Sequence, residues 1–222
     1  MVEEGQKAGW TPHYVLHTPD PSPRIHAYLQ WAARQNVAVT EVSPDVLRAA
    51  SDTTTPQGIL AVYPIPTTPP PSSITFAILL DQLRDPGNVG TILRTAAAAR
   101  VEAVFLPPGT VDAWSPKVVR AAMGAHFRVP ILTLPWDEIL ASLQHLPCYL
   151  AEVGASFSYT RADFTAPATL IIGGEADGAS ANVQSLHPTS LAIPMPGQME
   201  SLNAAIAAGI LMYEVVRQRE IL

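Results

Sequence analysis

The sequence predicts an α/β protein in two unequal parts, and three observations carry that prediction. From residue 74 onward, short apolar runs alternate with segments of helical periodicity. This is the pattern of a mostly parallel sheet with helices on both faces. Residues 1–64 show a shorter alternation and read as a separate small α/β unit. Between them, the stretch 64–73 holds five prolines in ten residues. No helix interior or central strand accommodates that, so 65–73 reads as a semi-rigid linker.

In the first part, residues 14–17 are expected to form a short strand, 23–35 a helix and 37–40 a second strand. A helix follows over 43–50, with Ser43 as N-cap and Pro44 at the first helical position. Residues 59–63 are the last strand. His13 and His17 lack a third ligand nearby and are read as strand residues; no metal is expected.

In the second part, residues 74–80 form an apolar run interrupted only by Thr75, as suits a strand buried on both faces. A Pro-Gly turn leads to a helix over 89–100, which Asn88 can cap. A strand over 103–106 precedes a helix opening at 115–120 with Ser115 as cap. Strands are expected at 128–132 and 148–153, with a helix over 135–144 between them. Residues 169–172 are an apolar strand ending in Gly173-Gly174, and 191–193 are the last strand. Ser201 or Asn203 caps the final helix, 204–217. That helix is apolar nearly all round: Leu202, Ile206 and Ile210 lie on one side, and Leu211, Met212 and Val215 elsewhere. Such a helix is buried on every face, in a core or against a second subunit.

Composition narrows the class. The 222 residues, 48% hydrophobic and 14% charged, can bury a substantial core, and no apolar run approaches a membrane span. Residues 1–7 lack the regions of a signal peptide. The one cysteine, Cys148, excludes an intramolecular disulfide and fits a reducing compartment, so cytoplasm is expected. The net charge of −6 argues mildly against a nucleic-acid partner. Its distribution argues the other way. Six of the 13 Lys and Arg (Arg84, Arg94, Arg100, Lys117, Arg120, Arg128) fall in 84–128, against three acids (Asp85, Glu102, Asp112). A local basic face on an acidic protein can bind phosphate, and ordinary solvated surface is the other reading.

Three loops follow strands and are rich in glycine and polar groups: 81–95, 173–178 and 193–203. Singly, they read as a capped helix, a tight turn and a proline-stiffened loop. Gly90 permits close packing or close ligand approach. No Gly-x-Gly-x-x-Gly, Walker-type loop, Gly-x-Ser-x-Gly elbow or His-Glu-x-x-His is present. Cys148 lies inside a strand and reads as core.

Taken together and in order, the loops resemble a known set. Asn88-Val-Gly-Thr-Ile-Leu-Arg94-Thr-Ala, Ile172-Gly-Gly-Glu175-Ala-Asp-Gly178 and Ile193-Pro-Met-Pro-Gly-Gln-Met-Glu-Ser201-Leu-Asn203 are similar to the three motifs of the SpoU (TrmH-type) RNA ribose 2′-O-methyltransferases of the SPOUT superfamily. The resemblance covers residue 74 to the end. Ser115-Pro-Lys-Val-Val-Arg-Ala-Ala-Met-Gly-Ala125 resembles the helix between the first two motifs, and 14–64 more loosely resembles the substrate-binding domain of rRNA-modifying members. Two departures stand out. Ala205 occupies a position where members often have Ser, which bears on packing more than chemistry. Residues 2–10 resemble the end of the first domain's usual first helix, so that domain is expected to be truncated.

The resemblance implies a C-terminal SPOUT domain over 74–222, with a parallel sheet and a deep trefoil knot, preceded by an RNA substrate-binding domain over 1–64. It implies a homodimer, and S-adenosylmethionine bound by Gly173, Gly174, Glu175, Ile193, Met195, Gly197, Ser201 and Leu202. It implies that Arg94 takes the ribose hydroxyl, with Asn88, Glu175, Ser201 and Asn203 orienting it or the substrate. A guanidinium stays protonated in ordinary surroundings, so the safer role for Arg94 is to hold the neighbouring phosphate and stabilise the incipient alkoxide. Arg84, Arg94, Lys117, Arg120 and Arg128 are the expected RNA contacts. The first domain favours rRNA of the 23S type over tRNA. A non-catalytic RNA-binding protein on the same fold and a flavodoxin-like small-molecule enzyme are the competing classes, and cofactor turnover separates them.

Overall fold

The structure, a computed structural model, describes residues 2–219 except 52, 54, 68, 176, 177 and 198. Ala176, Asp177 and Gln198 of the second and third motifs thus lie outside the described residues. The chain forms two compact units, Met1–Thr67 and Thr68–Leu222.

The first unit is a three-stranded sheet in the order β2-β1-β3, with β1 (Tyr14–His17) parallel to β2 (Ala38–Glu41) and antiparallel to β3 (Ile59–Val62). Helix α1 (Val2–Lys7) precedes it. Helix α2 (Pro23–Arg34) starts at Ser22, whose hydroxyl accepts the Ile25 N–H, and α3 (Pro44–Ala50) starts at Ser43 in the same way. Tyr28, Leu29 and Ala32 of α2 pack on Val15 and Val37. The hydroxyls of Tyr28 and Tyr63 lie 2.8 Å apart, and Tyr63 also donates to the Val2 carbonyl at 3.0 Å. Burial raises the Tyr28 pKa, which keeps the pair neutral. Gly5 of α1 lies against the Tyr63 ring, where a Cβ would come within 2.6 Å of it.

The second unit is a six-stranded sheet in the order β6-β5-β4-β8-β7-β9, and every strand pair is parallel. Its strands are β4 (Phe76–Leu80), β5 (Ala103–Leu106), β6 (Ile131–Thr133), β7 (Cys148–Ala151), β8 (Ala168–Ile172) and β9 (Thr189–Leu191). The chain runs outward from β4 through β5 to β6, then crosses to the other side of β4. That reversal puts a topological switch between β4 and β8, where crevices open at the carboxyl ends of strands. Helices α4 (Pro86–Ala98), α5 (Pro116–Ala122) and α7 (Ala204–Gln218) contribute to the core on one face. Helix α6 (Trp136–Leu143) and the 3-10 helix Ala181–Leu186 contribute to the core on the other. β4, β5 and β8 are buried along their whole length, in keeping with their apolar sequences, in which Thr169 is the one polar residue.

Several expectations need correction. Helix α4 begins three residues early because Asp85, not Asn88, is its cap: Asp85 Oδ1 accepts the Asn88 N–H at 2.7 Å and Pro86 takes the first position. Ser115 stands at the cap position of α5 without a side-chain bond, its Oγ buried and unpartnered among the described residues. The strand expected at 128–132 is Ile131–Thr133, because Ala125–Phe127 form a 3-10 turn first. β7 stops at Ala151, and β9 lies at Thr189–Leu191 rather than 191–193. Gly90 serves packing: a Cβ there would lie 2.4 Å from the Ala121 Cβ, so α4 and α5 cross at backbone distance.

Helix α7 is also less uniform than its composition suggests. Leu211, Met212 and Val215 are buried, but Ile206 and Tyr213 are 56% and 53% exposed. The buried set includes Glu214, which accepts bidentate bonds from Arg217 at 2.7 and 2.8 Å and a third from Gln218 at 2.8 Å. The Arg217 guanidinium holds the Glu214 carboxyl below its usual range. Beyond the helix, the Arg219 guanidinium donates to the carbonyls of Thr75, Phe164 and Ala166 and lies over the Phe76 ring.

Candidate active site

The loops after β4, β8 and β9 meet at one polar contact chain. Its first link follows from how α7 starts. Asn203 has non-helical dihedrals, and its Oδ1 accepts the N–H groups of Ala205 at 2.9 Å and Ile206 at 3.2 Å. Of the two candidate caps, Asn203 does the capping. Backbone N–H groups only donate, so the Asn203 amide is fixed with its oxygen toward the helix and its nitrogen outward. That nitrogen donates to Asn88 Oδ1 at 2.9 Å. With its oxygen committed, Asn88 must present its own nitrogen to the next partner, and it donates to Glu175 Oε1 at 2.7 Å. The direction of every bond is therefore set by the helix end. Glu175 completes the chain as the acceptor of the Asn88 amide.

Glu175 sits on a turn closed by paired bonds between Gly174 and Gly178, 2.9 Å in one direction and 3.1 Å in the other. Gly178 has φ +69°, a conformation that favours glycine. A Cβ on Gly173 would lie 2.6 Å from the Ala179 nitrogen, and one on Gly174 2.6 Å from the Gln82 carbonyl oxygen. These glycines therefore let neighbouring backbone come close as well as lining the cavity.

Beside this chain a cavity of about 550 Å³ opens at the carboxyl ends of β7, β8 and β9. Gly173, Gly174, Glu175, Ile193, Met195, Ser201, Leu202 and Asn203 line it. Gly197 does not; it is exposed on the proline-stiffened loop. Sequence reasoning missed Leu150, Glu152 and Val153 of the β7 end and Ala204 and Ala207 of α7. The rule that ligands collect at strand carboxyl ends would have pointed to the first three. The walls combine apolar side chains with two carboxylates, those of Glu152 and Glu175.

Asn88 and Arg94 do not line the cavity. Arg94, the ninth residue of α4, lies on its exposed side with Thr91 and Ala98, and has no hydrogen-bond or ion-pair partner among the described residues. Ser201 reaches the cavity but makes no bond to the Asn203–Asn88–Glu175 chain. Arg84, Lys117, Arg120 and Arg128 are all exposed, on the loop before α4, on α5 and after the 3-10 turn.

Residues 75–213 match the SpoU rRNA Methylase family. The chain belongs to that family. Residues 1–61 match the MRM3-like substrate binding domain. An uncharacterized tRNA/rRNA methyltransferase of Synechocystis is 38% identical over 201 residues, covering 88% of this chain and 69% of its own. The Bacillus subtilis 23S rRNA (guanosine(2553)-2′-O)-methyltransferase RlmP is 36% identical over 178 residues, 78% of this chain and 71% of its own. Mouse mitochondrial rRNA methyltransferase 3 is 33% identical, and the chain spans 59% of its length. Among solved structures, the SpoU methyltransferase AviRb of Streptomyces viridochromogenes, in complex with AdoMet, superposes with a TM-score of 0.83 at 27% identity. That match covers all of this chain and 88% of AviRb. A putative RNA methyltransferase of the TrmH family from Porphyromonas gingivalis gives 0.83 at 35% identity, over 100% and 87% of the two chains.

The fixed amide directions yield a test. Asn203→Asp retains an oxygen for the Ala205 and Ile206 N–H groups, and its charge suits a helix N-terminus. It cannot donate to Asn88, so one link of the chain becomes acceptor against acceptor. The unfolding midpoint in denaturant should hold nearly constant while methyl transfer to RNA falls by roughly tenfold or more, about 1.4 kcal/mol in barrier.

Proposed function

We infer that this protein transfers a methyl group from S-adenosylmethionine to a ribose 2′-hydroxyl of RNA, with rRNA of the 23S type as the substrate. The observation that carries the reading is the Asn203–Asn88–Glu175 chain, which ties the three motif loops together at the rim of the cavity. The relatives named as rRNA methyltransferases and the AdoMet-bound SpoU structure support it. The match of residues 1–61 to a substrate-binding domain favours rRNA over tRNA.

The cavity residues fit the cofactor. Leu150, Ile193, Met195 and Leu202 offer apolar surface to an adenine, and the carboxylates and exposed loop backbone offer acceptors and donors to its polar groups. S-adenosylmethionine supplies an electrophilic methyl group on a sulfonium. The chain's own residues must then hold the ribose hydroxyl in line and manage its charge as the O–H bond weakens. Glu175, bonded by Asn88 at the cavity wall, orients the hydroxyl or the substrate, as does Ser201. We assign Arg94 the phosphate beside the target ribose and the developing negative charge on the hydroxyl oxygen. Positioning of this kind supplies a large share of a barrier reduction. A non-catalytic RNA-binding role would leave the bonded polar chain beside the cavity without a use.

The loops 173–180 and 193–203 are assigned to a trefoil knot, and the molecule to a homodimer. On α7, Ile206, Ile210 and Tyr213 recur at i, i+4 and i+7, and Leu202 and Met199 extend the same apolar character into the preceding loop. Apolar side chains at that spacing form one stripe, and a second copy is the partner proposed for it. RNA is assigned to the exposed cations Arg84, Arg94, Lys117, Arg120 and Arg128 and to the first unit. A single, buried cysteine suits a reducing compartment, and the cytoplasm is the proposed location. No helix among the described residues is long and apolar enough to cross a membrane.

Three experiments test these assignments. Arg94→Ala should keep S-adenosylmethionine affinity by calorimetry yet lose most methyl incorporation into rRNA, and Arg94→Lys should rescue little because a point charge lacks the planar fork. Near-normal turnover in Arg94→Ala would remove its assigned role. Ile210→Asp should convert a dimer to a monomer in light scattering, since assembly would bury an unpaired charge; a wild-type monomer at micromolar concentration would contradict the dimer. Lys117→Ala combined with Arg120→Ala should weaken RNA binding and flatten its dependence on salt, with cofactor affinity unchanged. An unaltered salt slope would move the RNA face elsewhere.

A further inference from the structure

Glu175 reaches Asn88 only if the turn that carries it is held at a fixed height above the sheet. The Gly174–Gly178 pairing closes the turn on itself but does not attach it to anything else. The attachment comes from the residues that follow β4. Asp81 is fully buried, at 0% exposure. Its N–H donates to the Ile172 carbonyl at 2.9 Å, which continues the β4–β8 pairing one residue past the strand. Its Oδ2 accepts the Ser180 N–H at 2.5 Å, on the return limb of the turn. Gln82, at a left-handed φ of +58°, brings its carbonyl oxygen against Gly174 on the outgoing limb. Two consecutive residues thus hold both limbs, and four residues after Asp81 the chain reaches Asp85, the cap of the helix that carries Asn88.

We propose that Asp81 is a positioning residue of this site: it clamps the turn 174–180 to the end of β4 and so sets Glu175 against Asn88. The proposal rests on the reading of Glu175 as part of the working site. Asp81 itself does not line the cavity. A purely structural role is a poor fit to the residue chosen. A fully buried carboxylate is costly, and Oδ1 has no hydrogen-bond partner among the described residues. An apolar side chain would fill the space at lower cost. What the side-chain oxygen adds is an acceptor for the Ser180 N–H, which no apolar residue can offer. Such local expense belongs at places where function needs a loop held still.

The test is a double-mutant cycle in the full-length chain, read as kcat at saturating S-adenosylmethionine and rRNA. Asp81→Ala should lower kcat about tenfold. In a Glu175→Gln background the same change should lower it less than about twofold, because the residue it positions is already disabled. Asp81→Asn, which keeps an acceptor oxygen, should recover kcat to within about threefold of wild type. Losses that multiply independently in the double variant would overturn the proposal, as would an Asp81→Asn variant no better than Asp81→Ala. A second readout needs neither cofactor nor turnover. The Ser180 amide in the wild-type, cofactor-free protein should exchange with solvent deuterium as slowly as core amides of β8, and Asp81→Ala should speed it selectively. Fast Ser180 exchange in the wild type would overturn the clamp even if the alanine variant fails to fold. A wild-type protein that binds no S-adenosylmethionine and transfers no methyl would refute the enzymatic reading, and Ser180 protection would still decide the clamp.

Discussion

The site depends on the orientation of one amide. Asn203 has an oxygen and a nitrogen to spend, and the start of α7 demands the oxygen, since two helix N–H groups there have no other acceptor. The nitrogen is left pointing at Asn88, whose own amide is then oriented, and Glu175 receives the result. An ordinary helix-capping requirement, worth about 1 kcal/mol as stability, thereby sets hydrogen-bond polarity across three loops. Stability and site geometry are joined at one side chain.

The sheet supplies the frame that makes this possible. All six strands run parallel, so every loop that leaves a strand's carboxyl end emerges on the same edge. β4 and β8 pair in register over five residues, which puts the loop carrying Asn88 next to the loop carrying Glu175. Contacts at backbone distance then tighten the arrangement: α4 on α5 at Gly90, and Gly174 on Gln82. In each case the absence of a side chain sets the distance, and any larger residue would push a working element away.

Much of this was legible in the sequence, for identifiable reasons. The largely apolar runs at 74–80 and 169–172 suit strands covered on both faces, and the five-proline stretch suits extended chain. Asn88, Glu175 and Asn203 were singled out by the motifs they stand in, though their mutual bonds span 87 and 115 residues and no local pattern encodes such a distance. What was misread was decided by tertiary contact. Asp85 and Asn88 are both good caps, and only the start at Pro86 separates them. Gly90 carries the same letter whether a ligand or a neighbouring backbone approaches. Gly197 shares a loop with the lining residues but is not among them. Glu152 and Val153 belong to no motif and join the site only because β7 lies between β8 and β9.

The span of those bonds also bears on how the protein comes into being. Asn88 waits for a partner 115 positions further along the chain, and the wall formed by Ala204 and Ala207 belongs to the same late helix. While the chain is being synthesised, the early strands and α4 can collapse on one another through nearby contacts. The cavity therefore gains its full lining only when α7 has been made and docked, late in synthesis.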